Sequence, residues 1–296
     1  MDNELQNRSV LITGTSTGIG RYAALQLDKL GFHVFATIRK EEDANSITSE
    51  ASHRLIPLIL DVTDPSSIDK AHEILSREIS EDGLWGLVNN AAVGFVSPME
   101  FVPMDDLRWL YEANVFGLLA VAQKFLPLIR RAKGRILNIS SSATLVVAPF
   151  HGPYSSSKLA LNGLTDAMRL ELRPLGVHVS LIIYGSVKTP IWDTAGNKST
   201  QVTQDFPPEA LSLYGENFSR LRAYFNRIGK AGISTEQAFQ PILHALTAEK
   251  PKTHYIVGPD AKQYNLVKKL FYGRIGDWIT MRTIGLSDDS ELQNQP

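Results

Sequence analysis

Short apolar runs alternate with longer amphipathic segments over roughly the first 185 residues of the chain. The runs are rich in Val and Ile and carry few charges, a composition typical of parallel strands that are covered on both faces. They predict strands at 9–13, 33–38, 55–60, 85–89, 135–140 and 178–183. The segments between them, such as 19–30 and 107–131, have the apolar spacing of helices. This alternation predicts an α/β fold, a doubly wound parallel sheet with helices on both faces.

The pattern changes after residue 189. The segment 191–232 is rich in aromatic and polar residues without a clear period, and long irregular segments often form lids over a site. We therefore predict a variable substrate-binding lobe at about 190–232, a helix at 235–248 and a last strand at 254–257. With a C-terminal extension at about 261–296, the chain is predicted to form a single domain that spans 1–296.

The C-terminal extension combines an apolar stripe with basic residues. The stripe includes Leu266, Leu270 and Trp278, and Lys268 and Lys269 lie among its members. Two interpretations are open. Such a stripe most often packs against the protein's own body or a sister subunit, and it can also rest on a membrane surface. We predict a homo-oligomer, with peripheral membrane contact through this tail as the alternative.

Composition narrows the classes of function. The chain has 296 residues, of which 43% are hydrophobic and 21% charged, so it can bury a full core. A formal charge of −1 predicts no binding to nucleic acid, and the absence of cysteine excludes thiolate metal sites and disulfides. We predict no metal. The first nine residues are polar and no run approaches about 18 consecutive apolar residues, which predicts a cytoplasmic protein without a signal or transmembrane segment.

A glycine-rich turn directly follows the first predicted strand. Glycines let such a turn fold tightly and let a pyrophosphate approach the N-terminus of the next helix. The spacing is G-x-x-x-G-x-G, which differs from the common G-x-G-x-x-G pattern. Its place between a strand and a helix favours a dinucleotide site over a simple turn. The turn reads Thr13-Gly14-Thr15-Ser16-Thr17-Gly18-Ile19-Gly20.

The end of the second predicted strand indicates which dinucleotide binds. An acidic residue at this place usually accepts a hydrogen bond from the ribose 2′-hydroxyl of NAD. Here Ile38 stands at the tip and is followed by Arg39 and Lys40. A guanidinium is well suited to a 2′-phosphate, although both cations could instead be solvated loop residues. The sequence therefore predicts NADP(H) in preference to NAD(H).

Three further residues predict hydride-transfer chemistry. Tyr154 and Lys158 are four residues apart, which places them on one face of a helix. A phenol titrates near 10, and an ammonium beneath it with a positive nicotinamide beside it would lower that pKa. Ser141 could bind the carbonyl oxygen of a substrate and share its developing charge. One Tyr-x-x-x-Lys pair is usually accidental, so the prediction depends on the whole set.

In their order and spacing these motifs resemble the short-chain dehydrogenase/reductase family along almost the whole chain. Two segments, 34–40 and 148–150, resemble the branch that contains retinol and hydroxysteroid dehydrogenases. The resemblance implies a Rossmann-like fold and a small alcohol or carbonyl substrate. Phe150, His151, Trp192 and the aromatic stretch Phe206–Phe225 either line an apolar pocket for this substrate or simply pack the lobe. The matching stretches are Thr13–Gly20, Asp61-Val62, Asn89-Asn90-Ala91, Asn114, 138–141, Tyr154–Lys158 and Gly185 to Thr189.

The resemblance also implies the roles of individual residues. Tyr154 is expected to exchange the proton, and Lys158 to bind the nicotinamide ribose and lower the pKa of Tyr154. Ser141 is expected to position the substrate, and Asn114 to hold a water that relays protons to Lys158. With the residues inferred above, the predicted cofactor set is Gly14, Thr15, Thr17, Gly18, Ile19, Gly20, Arg39, Lys40, Asp61, Val62, Asn89, Ala91, Tyr154, Lys158, Val187 and Thr189.

Two departures from the family pattern leave rival functions open. Ala92 stands where the family usually has glycine, and Tyr184 stands where it usually has proline. Either change could weaken the fit of the cofactor, although neither removes a catalytic group. The predicted function is reversible hydride transfer with NADP(H). The rivals are an NAD-dependent alcohol dehydrogenase that uses the same residues, and a cofactor-binding sensor with little or no turnover.

Overall fold

The computed structural model describes residues 8–79, 81–271 and 273–286. The predicted polar start of the chain falls largely on residues 1–7, and the end of the predicted C-terminal extension falls on 287–296. Both lie outside the described residues. The rest of the chain contains one sheet, the helices that cover it and a lobe above its carboxyl edge.

All seven predicted strands are present, with ends that differ by one residue at most. They are β1 Ser9–Ile12, β2 His33–Ile38, β3 Leu55–Ile59, β4 Gly86–Asn89, β5 Arg135–Ser141, β6 His178–Tyr184 and β7 His254–Val257. Every neighbouring pair is parallel, in the order β3-β2-β1-β4-β5-β6-β7. The predicted doubly wound parallel sheet is confirmed. Its order reverses between β1 and β4, and the crevice outside this point is where such sheets bind ligands.

Helices cover both faces of the sheet. They are α1 Gly18–Lys29, α2 Glu41–Thr48, α3 Pro65–Glu78, α4 Met104–Tyr111, α5 Leu118–Arg131, α6 Gly152–Leu172, α7 Ile191–Gln204, α8 Pro208–Ala231, α9 Thr235–Thr247, α10 Pro259–Leu270 and α11 Arg274–Ile284, with a π-helical turn at Glu112–Gly117 between α4 and α5. Alternation along β1 divides the core into two layers. Val10 and Ile12 pack in the layer with α1 and α9, whereas Leu11 packs in the layer with α3, α5 and α6.

The lobe is helical, so the prediction of an irregular segment at 191–232 is wrong. In α8 the buried residues Phe218, Leu221 and Tyr224 keep the spacing of one helix face. Leu211 and Leu213 at its start are 55% and 56% exposed, and they mask the period in the sequence. The lobe therefore forms two helices, and residues of both line the cavity described below.

The described part of the C-terminal extension packs on the body of the protein. Lys268 donates a hydrogen bond to the carbonyl oxygen of Thr144 at 2.9 Å, and the hydroxyls of Tyr264 and Tyr224 are 2.7 Å apart. These contacts favour the first of the two interpretations of the apolar stripe. Part of the stripe, including Leu270, remains exposed on the outer surface of α10 and α11, so membrane contact stays an open prediction.

One stretch of the described residues, Met104–Arg131, is long and apolar enough to cross a membrane by length and composition alone. It combines α4, the π-helical turn and α5, and 56% of its most apolar window is buried inside the fold. Phe125 and Ile129 within it are fully buried in the core. Core helices pass the same test, so the stretch is weak evidence for a membrane span.

Candidate active site

A cavity of about 570 Å³ lies at the carboxyl ends of the strands, beneath the lobe. Most of the predicted site residues line it. They are Gly14, Thr17, Gly18, Ile19, Arg39, Asp61, Val62, Ala91, Ser141, Tyr154, Lys158, Val187 and Thr189. Among the described residues, no group of three His, Cys, Asp or Glu side chains is placed to hold a metal ion.

The glycine-rich turn leaves the N-terminus of α1 open to the cavity. The N-cap residue Thr17 makes no side-chain capping bond, and the first turn of α1 carries no acidic residue. Unpaired N–H groups and the positive end of the helix dipole suit a pyrophosphate. A Cβ atom at Gly14 would lie 2.9 Å from Cα of Ala91, and one at Gly20 would lie 2.3 Å from the Gly14 carbonyl oxygen. These glycines are needed for the turn, which fits a dinucleotide.

Five predicted site residues do not line the cavity. Thr15 donates its hydroxyl to the carbonyl oxygen of Thr37 at 2.9 Å, which holds the glycine turn against β2. Gly20 is buried where α1 passes Gly14. Their contribution is to shape the turn. The remaining three are Lys40, Asn89 and Asn114.

At the end of β4, Asn90 rather than Asn89 reaches the cavity. The Asn89 amide donates to Oδ1 of Asn138 at 2.9 Å in the core. The Asn90 amide donates to the carbonyl oxygens of Thr13 and Gly14, at 2.9 and 3.0 Å, and this residue lines the cavity. Alternation along β4 could have revealed the difference, because Asn89 is the last residue of the strand and Asn90 the first beyond it.

The end of β2 presents Ile38 and Arg39 to the cavity. Ile38 is only 1% exposed, whereas Arg39 is an exposed residue. Within the described ranges, no residue forms a hydrogen bond or an ion pair with Arg39. Lys40 is the N-cap of α2 and does not line the cavity. Asp61 follows β3, the strand next to β2. Its Oδ1 accepts hydrogen bonds from the backbone amide and the hydroxyl of Thr63, at 2.9 and 2.7 Å.

Ser141, Tyr154 and Lys158, the predicted catalytic set, all line the cavity. Ser141 acts on the Tyr154 hydroxyl as a hydrogen-bonding neighbour, and its Oγ accepts a hydrogen bond from the amide of Ala143 at 3.2 Å. The neighbouring Ser140 instead donates to Oδ1 of Asn162 at 2.6 Å, so Ser141 is the serine beside the phenol. Lys158 is 1% exposed, and its ammonium donates a hydrogen bond to the carbonyl oxygen of Ile139 at 3.0 Å.

Burial dominates the pKa values of both titratable groups in this set. It raises the pKa of Tyr154 to about 12, although the hydrogen bond with Ser141 opposes this shift. Burial also lowers the pKa of Lys158 to about 8. Desolvation of the phenolate outweighs the effect of Ser141. The predicted lowering of the pKa of Tyr154 by Lys158 and a positive nicotinamide together stays a prediction.

The Asn114 side chain holds the wall of the cavity rather than facing it. Its amide donates to the carbonyl oxygen of Val93 at 2.9 Å and to Oγ of Ser157 at 3.1 Å, and Oδ1 accepts from the Val93 amide at 2.9 Å. The residue lies in the π-helical turn between α4 and α5, and such turns are frequent at functional sites. Its predicted role in holding a water stays a prediction.

The loop after β6 is held by two residues, of which the sequence indicated only Trp192, as a possible pocket residue. The amide of Ser186 donates to Oδ2 of Asp260 at 2.6 Å, and the indole of Trp192 donates to the carbonyl oxygen of Val187 at 2.9 Å. Both Asp260 and Trp192 line the cavity. Asp260 begins the C-terminal extension, far along the chain from this loop, so no local sequence pattern could link the two.

Tyr184, one of the two departures from the family pattern, belongs to the core. Its side chain is 4% exposed and packs between the sheet and α9, and its hydroxyl donates to the carbonyl oxygen of Ala238 at 2.5 Å. The ring therefore extends the core beneath the site, and both Tyr184 and the other departure, Ala92, line the cavity. Replacement of Tyr184 by proline would empty this part of the core, so it is a poor test of the sensor hypothesis.

A milder change tests the role of Tyr184. We expect Tyr184→Phe to lower the free energy of unfolding by about 1 kcal/mol, because it removes one buried hydrogen bond and keeps the ring. Urea denaturation followed by circular dichroism measures the change. Tyr22→Phe, at a partly buried tyrosine of α1 that packs against the same core layer, is the control and should leave stability nearly unchanged. Equal stability of Tyr184→Phe and the parent would contradict this assignment.

The half of the cavity beyond Tyr154 is largely apolar. Helices α7, α8, α10 and α11 form most of its wall. The apolar lining residues there are Phe95, Val96, Val146, Ala148, Ile191, Trp192, Ala195, Phe225, Ile228, Val267, Ile279 and Ile284. This half could hold a lipophilic molecule with its reacting group at Tyr154.

Comparisons with known proteins agree with this arrangement. The family model for short chain dehydrogenase matches residues 8–200. Retinol dehydrogenase 5 of Mus musculus is 34% identical, with 92% of this chain and 89% of the relative covered. The NADPH-dependent 3-dehydrocapnine reductase of Ornithobacterium rhinotracheale is 35% identical, with 92% of this chain and 95% of the relative covered.

Two solved structures share the fold. A short chain dehydrogenase from Burkholderia cenocepacia in complex with NADP is 22% identical, with a TM-score of 0.69 over 96% of this chain and 99% of that one. A short chain dehydrogenase/reductase from Burkholderia phymatum in complex with NAD is 20% identical, with a TM-score of 0.71 over 100% of this chain and 98% of that one. At these identities the likeness concerns the fold alone.

Proposed function

Because the chain belongs to the short-chain dehydrogenase family and is therefore an oxidoreductase of alcohol or carbonyl groups, we propose that it uses NADP(H) and an apolar substrate. The resemblance to the branch with retinol and hydroxysteroid dehydrogenases is confirmed by the relatives. One observation carries the proposal: Ser141, Tyr154 and Lys158 share a cavity with Ile38 and Arg39.

In the proposed reduction, the Tyr154 hydroxyl gives its proton to the carbonyl oxygen of the substrate. A bound nicotinamide supplies the hydride. Ser141 donates a hydrogen bond to the same oxygen and shares its developing charge. Burial keeps the phenol protonated at neutral pH, since its pKa is about 12, and a protonated phenol supports reduction rather than oxidation. Lys158 binds the nicotinamide ribose, and Asn114 is proposed to hold the water that returns protons to it.

The cofactor preference rests on the end of β2. A carboxylate that could accept the ribose 2′-hydroxyl of NAD is absent there, because Ile38 occupies the tip. Arg39 lines the cavity with its hydrogen-bonding groups available to a phosphate. A relative that is NADPH-dependent by name supports the same choice. An NAD-dependent alcohol dehydrogenase with the same catalytic residues remains the rival among enzymes.

The substrate class follows from the apolar half of the cavity. Its lining suits a steroid, a retinoid or another lipophilic carbonyl compound, and a retinol dehydrogenase among the relatives supports this range. A screen that follows NADPH oxidation over steroid, retinoid, aliphatic and aromatic carbonyls tests it. Failure on every carbonyl, with NADPH still bound, would favour the rival hypothesis of a cofactor-binding sensor.

The pH dependence of reduction gives a separate test. A lowered lysine pKa means that the ammonium is present below about pH 8 and lost above it. We therefore expect kcat/KM for carbonyl reduction to be flat near neutral pH and to fall as the pH rises through about 8. Tyr154 should contribute no ionisation below about pH 10, because its pKa is about 12. A rate that stays flat to pH 10 would contradict the role given to Lys158.

A homo-oligomer and a cytoplasmic location complete the proposal. Exposed apolar residues on α4, the π-helical turn and α6, such as Trp109, Phe116 and Leu170, are compatible with a subunit contact. Light scattering of the purified protein tests the subunit number, and cell fractionation tests the location.

A further inference from the structure

His151 is an imidazole on the cavity wall that the proposed reaction does not use. It is the residue directly before α6, three positions before Tyr154. Its ring stacks on the phenol ring of Tyr154, with centroids 5.0 Å apart and planes 18° from parallel. A substrate whose carbonyl oxygen reaches the Tyr154 hydroxyl would therefore pass within contact range of the imidazole.

The orientation of this ring is fixed from two directions. Tyr154 stacks on it, and Phe225 of α8 packs against it with a centroid distance of 4.9 Å. The ring of Phe225 in turn packs against the ring of Trp192 of α7, with a centroid distance of 6.2 Å. The imidazole is thus held between the catalytic helix and the lobe, and a polar group that is held in this way can select among ligands by geometry.

The ring nitrogens have unused hydrogen-bonding capacity. No residue in the described part of the chain forms a hydrogen bond with either of them. Burial lowers the pKa of His151 to about 4, so the imidazole is neutral at neutral pH and offers one donor and one acceptor. The ring is partly buried and lines the cavity, so a bound ligand can reach its nitrogens and become their partner.

Other buried hydroxyls on this wall are already paired, and Asn226 and Gln263, which also line the cavity, are exposed residues. The hydroxyl oxygens of Tyr224 and Tyr264 are 2.7 Å apart and form a hydrogen bond with each other. The hydroxyl of Ser199 donates to the carbonyl oxygen of Ala195 at 2.6 Å and accepts from the Val96 amide at 3.0 Å. Next to the reacting position, the imidazole is therefore the group best able to recognise a polar substituent.

We propose that His151 is a specificity-determining residue that forms a hydrogen bond with a hydroxyl or amino group close to the carbonyl of the substrate. The inference rests on the proposed function and narrows its substrate class. The preferred substrate is a lipophilic carbonyl compound with a second polar group within a few bonds of the carbonyl carbon, and a plain ketone of the same length is a poorer substrate.

A pair of probe substrates tests this inference. They are a long-chain methyl ketone and the corresponding hydroxymethyl ketone, which differ by one hydroxyl next to the carbonyl. NADPH oxidation gives kcat/KM for both with the parent, His151→Phe and His151→Asn. The phenylalanine keeps an aromatic ring stacked against Tyr154 and removes both ring nitrogens of the imidazole. The asparagine keeps a neutral hydrogen-bond donor and acceptor at this position. Phe225→Leu is the matched control, because it alters the packing of the imidazole and removes no polar group.

We expect the parent to prefer the hydroxymethyl ketone, and His151→Phe to reduce that preference by about tenfold or more, as the loss of one buried hydrogen bond predicts. The intrinsic reactivities of the ketones cancel in this comparison between variants. His151→Asn should keep part of the preference, and Phe225→Leu should affect both ketones alike. Thermal unfolding and NADPH affinity check that each variant is folded.

Three outcomes separate this inference from the function on which it rests. A parent that reduces both ketones with equal efficiency, or a His151→Phe variant that loses both activities to the same extent, overturns the inference and leaves the oxidoreductase intact. A parent that binds NADPH and reduces neither ketone, nor any carbonyl of the wider screen, overturns both.

Discussion

Tyr154→Phe is expected to lower kcat for carbonyl reduction by about 10²–10⁴-fold, the range typical for loss of a general acid. The change removes only the hydroxyl. The phenyl ring can still stack on His151, which lies 5.0 Å away between centroids. Affinity for NADPH should therefore change by no more than about threefold, because the hydroxyl is proposed to act on the substrate oxygen and a threefold change is only about 0.6 kcal/mol.

Steady-state kinetics with the best carbonyl of the screen, and fluorescence titration with NADPH, measure these two quantities. Tyr224→Phe is the matched control, since it removes a hydroxyl from another tyrosine on the same cavity wall. The Tyr224 hydroxyl forms a hydrogen bond with the Tyr264 hydroxyl rather than with a member of the catalytic set. Loss of the Tyr224 hydroxyl should therefore cost much less activity. Activity of Tyr154→Phe within tenfold of the parent would end the assignment of Tyr154 as the proton donor.

The sheet could be predicted from the sequence because its pattern is local. Strands that are buried on both faces leave continuous apolar runs, and β1 shows why: Val10 and Ile12 face one layer of the core while Leu11 faces the other. The lobe could not be predicted in the same way. Two exposed leucines at the start of α8 hide the helical period that its buried residues keep.

The catalytic set could be predicted because Ser141, Tyr154 and Lys158 follow one another along the chain with a characteristic spacing. The neighbours that shape the cavity could not, since they are close only in space. Asp260, which accepts a hydrogen bond from the amide of Ser186, lies 74 positions later in the chain. The raised pKa of Tyr154 also escaped prediction, because it depends on how completely the folded chain excludes water from the phenol.

Arg39→Ala is expected to weaken NADPH binding by roughly 10- to 150-fold, because a hydrogen bond to a charged group contributes about 1.5–3 kcal/mol. The guanidinium lines the cavity at the end of β2, where it can grip a 2′-phosphate with two parallel hydrogen bonds. NADH offers no phosphate at this place, so its affinity should barely change. Lys40→Ala is the matched control, because Lys40 does not line the cavity and should contribute only a weaker point-charge attraction.

The double change Ile38→Asp with Arg39→Ala should invert the preference. The aspartate would add a carboxylate that accepts a hydrogen bond from the free ribose hydroxyl and repels a phosphate. Ile38 is 1% exposed, so the new carboxylate must turn towards the cavity that this residue already lines. The thermal unfolding temperature of the double variant is therefore measured beside its kinetics.

The decisive quantity is kcat/KM for NADPH and for NADH with one shared carbonyl substrate. A parent that already prefers NADH, or an Arg39→Ala variant that loses affinity for both cofactors equally, would contradict the NADP(H) assignment. The proton-transfer assignment would survive either result. Ser141 lies on β5, and Tyr154 and Lys158 lie on α6. Ile38 and Arg39 lie at the end of β2, which is three strands away from β5 in the sheet. Selection of the cofactor and transfer of the proton therefore rest on separate residues, and each can fail without the other.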